Sequence, residues 1–272
     1  VLDPVTYLER TKTQTPDFFE EDSLGFGAGA TVITSHPEAM QYILSRDRKT
    51  FATPGDFNRI LSPFIGTASV IMLSGDRHKE RRQLMAPAFH GERLAVYGEL
   101  IVDLIHKLAK GQPLDQVLPI RDLTQQISLQ TIAKVVLGFS EGPRSQEMLS
   151  ILTTAADSVG SPVSAALLFF DWLQKDLGKW SPWGKFVDNR AQLDELLYAE
   201  IRNRKNTSHT DASHTERTDI LSMLMASRTE AGEGLGEHEL RDELMALLLA
   251  GHETTAAAMA WAMYWIHKTP GV

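Results

Sequence analysis

The chain has 272 residues, enough for one large domain or two small ones. With 43% hydrophobic and 23% charged residues, it is not a wholesale disordered protein. Lys and Arg total 27 against 35 Asp and Glu, and a net charge of -8 disfavours non-specific nucleic-acid binding; the lack of cysteine excludes disulfides, Fe–S clusters and cysteine-ligated zinc within the chain.

Pro4, Glu9 and Arg10 interrupt any apolar run near the start, so no signal peptide or anchor is expected in these residues. The first residue is Val1, which leaves an upstream anchor open. The absence of cysteine fits a reducing compartment, and the expected location is the cytoplasm.

The first helix is expected over Asp3–Lys12. Phe18–Leu24 and Thr31–Thr34 read as two strands of a hairpin around Gly25, Gly27 and Gly29. Ser35-His36-Pro37-Glu38 is a helix start, and the helix it opens carries Ala39, Met40, Ile43 and Leu44 on one face. Thr53–Leu73 mixes Pro54, Gly55, Pro63 and Gly66 with apolar residues and reads as a long loop, of the kind that covers a site.

From Asp76 onward the pattern is helical. Periodic segments fall at Leu94–Leu108, Leu123–Leu137, Met148–Val159, Phe186–Ile201 and Ile220–Met225, punctuated by Gly138, Pro143, Gly160, Pro162, Pro182 and Gly184. Asn203–Thr218 is polar and reads as an exposed loop. Glu237–Lys268 is the longest helical pattern, about 48 Å at 1.5 Å per residue, and should be the structural axis. Its apolar stretches, Met245–Ala250 and Ala256–Ile266, could suggest a membrane span, but His252 and Glu253 at the centre favour a buried core helix.

The informative segment of that helix is Ala250-Gly251-His252-Glu253-Thr254-Thr255. Gly251 costs about 1 kcal/mol against Ala in a helix and is tolerable if a flat group approaches the backbone. Thr254 can bond the Ala250 carbonyl one turn back and loosen the helix. Together they form a notch beside an acid and a hydroxyl, suited to passing protons through water to a ligand. A zinc-protease helix needs His-Glu-x-x-His, and Ala256 stands where the second His would be.

This segment resembles the central-helix signature of the cytochrome P-450 superfamily, the haem-thiolate monooxygenases. Leu240-Arg241-Asp242-Glu243-Leu244 also matches common family sequence. Gly75-Asp76-Arg77-His78-Lys79-Glu80-Arg81-Arg82, with Leu84, Pro87 and Phe89 after it, is similar to the family's third helix. Alone, that run would read as a solvated charged face.

The resemblance covers essentially the whole chain. It implies a mainly α, P-450-like helical fold with a small N-terminal β-sheet, and residues 1–272 as a single incomplete domain. It implies haem b, O2 and NAD(P)H-derived electrons in the complete protein. Ala250 and Gly251 would lie over the haem face, with His78 and Arg82 gripping propionates. Thr254 would be the oxygen-side hydroxyl and Glu253 the acid of its proton relay. Ser69, Val70, Leu247 and Ala250 would line the pocket for a small apolar substrate. Arg77, Lys79 and Arg81 would form part of a docking patch for a ferredoxin or flavodoxin. The implied reaction is insertion of one oxygen atom into a C–H bond. The family's Glu-x-x-Arg helix and iron-ligating Cys are not among these residues, and the helix-stop Thr269-Pro270-Gly271 is followed only by Val272. The expectation is therefore a fragment, inactive alone, with the metal ligand beyond Val272. The alternatives are a non-catalytic truncated or degenerate gene product and a helical apolar-ligand binder.

Overall fold

The computed structural model describes residues 4–21, 31–46, 50–52, 55–113, 116–138, 142–160, 173–207 and 218–271. They fall into two compact units, Val1–Arg59 and Ile60–Val272.

In the first unit, helix α1 spans Pro4–Gln14, strand β1 Phe18–Glu21, strand β2 Thr31–Thr34 and helix α2 Pro37–Ser45. The strands pair antiparallel with Phe18 opposite Thr34 and Glu21 opposite Thr31. Thr34 Oγ1 accepts the His36 amide at 3.1 Å and donates to the Asp17 carbonyl at 2.8 Å, so one side chain closes the ribbon and starts α2. Pro37 supplies the pre-set φ of a first helical turn. The α2 face carrying Met40 and Leu44 is exposed rather than buried. The glycines expected to turn the hairpin lie outside the described residues.

The second unit is helical. A 3-10 turn over Gly55–Leu61 spans the junction with the first unit. It leads into the one-turn helix α3 (Ser62–Ile65), a second 3-10 turn (Val70–Met72) and helix α4 (Gly75–Met85). The segment expected as a long loop is thus mostly helical turns, with Phe64, Ile65 and Leu73 buried. Pro63 sits in the first turn of α3, where its missing N–H has no helical partner to lose.

Helices α5 (Glu92–Lys110), α6 (Ile120–Leu137), α7 (Pro143–Gly160), α8 (Pro182–Thr207), α9 (Ile220–Ala226) and α10 (Glu237–Lys268) complete the unit. The α10 bounds match the expectation from sequence. Helix α8 runs through Asn203–Thr207, which the polar composition had suggested as loop. These residues continue the helix because Arg204 is buried in it, donating to Glu200 at 2.8 Å, to Asp219 at 2.5 Å and to the Ser222 hydroxyl at 2.8 Å, and also to the Leu137 carbonyl. That hub ties α8, the α9 N-terminus and the α6 C-terminus together.

The core gathers Val136, Leu137, Leu193, Leu197, Ile201, Leu221, Leu224, Leu240, Leu244 and Met245. Helix α10 packs chiefly on α6, and also on α8 and α3. It is buried only in its first half. No residue of α10 beyond Ala256 is buried, and Trp261 and Trp265 are 61% and 59% exposed. The expectation of a core helix holds up to that point and fails beyond it, because no described element lies over the later turns. No helix among the described residues is long and apolar enough to cross a membrane.

Candidate functional site

Arg241, Asp242 and Glu243 are consecutive and essentially unexposed, at 1%, 0% and 0%. Consecutive helical positions point about 100° apart, so three such charges cannot share one solvated face. Each needs a partner inside the protein. Asp242 Oδ2 accepts the amides of Thr67 at 3.0 Å and Ala68 at 2.9 Å, and Oδ1 accepts Arg241 at 2.8 Å. Arg241 also donates to Asp194 on α8 at 2.6 Å and to the Phe64 carbonyl at 3.3 Å. Gly66 turns the chain at φ +78°, and a Cβ there would lie 2.1 Å from Asp242 Oδ2. Only glycine lets the backbone come this close.

Glu243 accepts Arg81 Nη1 at 2.8 Å, and the same guanidinium bonds the Ala68 carbonyl at 2.9 Å and pairs with Glu239. Arg81 is therefore not a docking-patch residue. It is 5% exposed, its charge is matched by two glutamates, and it clamps α4 and the Ala68 backbone to α10. Burial pushes the Glu243 carboxyl up to about 7, with Arg81 and the Val70 amide opposing the rise. Ser69 is fully buried, whereas Val70 is half-buried. Of these two expected pocket residues, Val70 has some exposed surface and Ser69 has none.

Farther along α10, Leu247, Ala250 and Thr254 share one face by their three- and four-residue spacing. Leu247 is half-buried, and Ala250 and Thr254 are exposed. The Thr254 hydroxyl donates to the Ala250 carbonyl at 2.5 Å, as the sequence suggested. Glu253 is on the flank toward α6, ion-paired with Arg121 and accepting Gln125 Nε2 at 3.3 Å. Ser128 Oγ lies 2.9 Å from the Gly251 carbonyl and 2.7 Å from that of His252, and donates to them. A Cβ on Gly251 would meet Ile132 Cδ1 at 2.6 Å. Close packing of the Ile132 side chain of α6 is thus one constraint that favours glycine at 251.

Arg121, Gln125, Ser128 and Ile132, one stripe of α6, thus meet the motif turn, and sequence reasoning missed all four. The available signal was weak, three polar residues at i, i+4 and i+7 on a helix that carries other polar residues as well. The acid and hydroxyl at 253 and 254 point about 100° apart, so any exchange of a proton between them runs through water.

On α4, His78 is half-buried and Arg82 exposed on the same side, four residues apart. Arg77 and Lys79 are also exposed. Among the described residues none of these four is held in an ion pair, and no cluster of His, Asp and Glu could hold a metal ion.

Residues 22–272 match the sequence profile of the cytochrome P450 family. Over 244 residues the chain is 30% identical to cytochrome P450 135B1 of Mycobacterium bovis, covering 90% of this chain and 49% of that protein. It is 30% identical over 242 residues to cytochrome P450 135A1 of Mycobacterium tuberculosis, covering 89% and 51%. The structure of a retinoic acid-bound cyanobacterial CYP120A1 superposes with a TM-score of 0.70 at 20% identity, covering 94% of this chain and 54% of that one. The chain spans about half the length of the curated relatives it matches. The mainly helical fold, the small antiparallel sheet and the motif turn on α10 agree with the profile match over nearly the whole sequence: the chain belongs to the cytochrome P450 family.

Proposed function

We propose that this chain forms the oxygen-side and partner-side framework of a haem-dependent monooxygenase acting on a small apolar molecule, residues 1–272 being part of one larger domain. The observation that carries it is the Thr254 hydroxyl, fixed to the Ala250 carbonyl on the open face of α10 with Glu253 beside it.

The residues present fit a haem. Ala250 leaves an open, side-chain-poor surface beside Thr254, and His78 and Arg82 offer two donors on one face of α4 for a pair of carboxylates. When bound, haem supplies the activation of O2 and the transfer of one oxygen atom to the substrate. The family's thiolate ligand is not among these residues, since the chain has no cysteine. The protein's own part is to hold the Thr254 hydroxyl, keep Glu253 within reach of water and accept an apolar substrate against Val70, Leu247 and Ala250. Arg77 and Lys79 supply exposed positive charge for an acidic ferredoxin or flavodoxin on an otherwise acidic protein, in the cytoplasm.

In the complete protein that contains this chain, Thr254→Ala keeps substrate binding and diverts electrons from product to peroxide, because the relay loses its ordered hydroxyl. Product and peroxide are measured per NAD(P)H consumed. An unchanged ratio removes Thr254 from proton delivery.

A further inference from the structure

Three successive carbonyls of α10, at Ala250, Gly251 and His252, each lie within hydrogen-bond distance of a side-chain hydroxyl. Thr254 donates to the first at 2.5 Å, and Ser128 lies 2.9 Å and 2.7 Å from the other two. In a continuous helix these carbonyls already serve the amides of Thr254, Thr255 and Ala256. Ser128 has one hydroxyl proton for two acceptors. Both carbonyls belong to the helix ladder, so the Ser128 hydroxyl is a donor from α6 that competes with the Thr255 and Ala256 amides for them.

The placement of Ser128 is tightly determined. It is buried on a helix face whose neighbours Arg121 and Gln125 hold Glu253 and whose next member, Ile132, occupies the space where a Cβ at Gly251 would go. The hydroxyl cannot turn to bulk solvent, and its bonded partners are the two carbonyls of the motif turn.

We infer that Ser128 is a positioning residue, which loosens the helix at the motif turn from the α6 side and thereby sets how Thr254 and Glu253 are presented. The inference rests on the proposal that Thr254 and Glu253 manage protons. It identifies the device that shapes their turn, a residue on another helix that touches neither side chain.

Backbone amide exchange, resolved by residue in the complete protein, tests this without turnover. Ser128→Ala removes the competing donor and leaves the space nearly filled. The Thr255 and Ala256 amides then exchange more slowly, by roughly 2- to 10-fold, the range of one ordinary hydrogen bond, while the rest of the chain is unchanged. A merely structural hydroxyl gives the opposite sign, faster exchange on removal, spread over α6 and α10. That result, or no local change, overturns the inference. Ser128→Thr keeps the hydroxyl and should retain parent rates; slowing there as well would assign the effect to packing and also overturn it. In turnover, Ser128→Ala should raise peroxide at the expense of product, less than Thr254→Ala does. If Thr254→Ala leaves that ratio unchanged while Ser128→Ala slows the two amides, the proton-delivery reading falls and the positioning by Ser128 stands.

Discussion

The two halves of α10 are built on opposite terms. From Leu240 to Leu248 the helix is buried, and its three internal charges fasten the 64–72 segment, α4 and α8 through the backbone and through Arg81 and Asp194. From Ala250 onward, support comes from one stripe of α6, and the face bearing Thr254 is open. Rigidity and chemistry are thus placed in successive turns of one helix. The first half fixes the framework, and the second leaves hydroxyl and acid where water and ligand can reach them. A buried pair broken by removal of one partner is costly, whereas an exposed pair contributes little.

That contrast is tested most severely at Asp242. Asp242→Ala leaves the Thr67 and Ala68 amides without their acceptor and Arg241 with Asp194 as its remaining carboxylate, and should destabilise the protein by about 3–5 kcal/mol in urea unfolding. A loss under about 1 kcal/mol would mean that the first half is not the anchoring half.

Glu243 sharpens the comparison through pH. Its folded-state value, about 7, is above the ordinary 4.5, so the folded protein binds the proton more tightly than the unfolded chain. This contribution is fully present below pH 4.5 and is lost as pH rises through about 7. It amounts to roughly 2–4 kcal/mol, at about 1.4 kcal/mol per unit. Glu243→Gln should therefore lose less stability than the parent between pH 5 and pH 8. Parallel urea-midpoint curves for the two proteins would show that the carboxyl stays ionised beside Arg81 throughout.

The smallest effect belongs to the second half. Arg121 and Glu253 are 55% and 41% exposed in their side chains, so Arg121→Gln should cost under about 1 kcal/mol of stability. A larger loss in the same unfolding assay would erase the distinction between the two halves.

Much of this was legible in the sequence where the cause is local. The α10 bounds follow from apolar periodicity closed by Thr269-Pro270, and the Thr254–Ala250 bond follows from a hydroxyl one turn from a carbonyl. The features that were not legible depend on distant partners. Arg81 sits in a run of charges that reads as solvated, and its glutamates stand 158 and 162 positions away. The close approach at Gly251 involves Ile132 on another helix. Ser69 was expected at the pocket from the resemblance, yet the turns around it bury it completely. The second half of α10 looked like core because tryptophan and isoleucine carry the pattern of burial whether or not anything covers them.

The distance from Asp242 to the Thr67 amide, 175 positions, also sets a timetable for synthesis. At 5–20 residues per second, the amides of the Gly66 turn emerge from the ribosome roughly 10–35 s before the carboxylate that will accept them. During that interval Arg81 waits for both of its glutamates and Phe64 has no α10 to close over its backbone. The nascent 60–85 region therefore stays without its α10 partners for that interval, and its final geometry is set only once α10 has emerged.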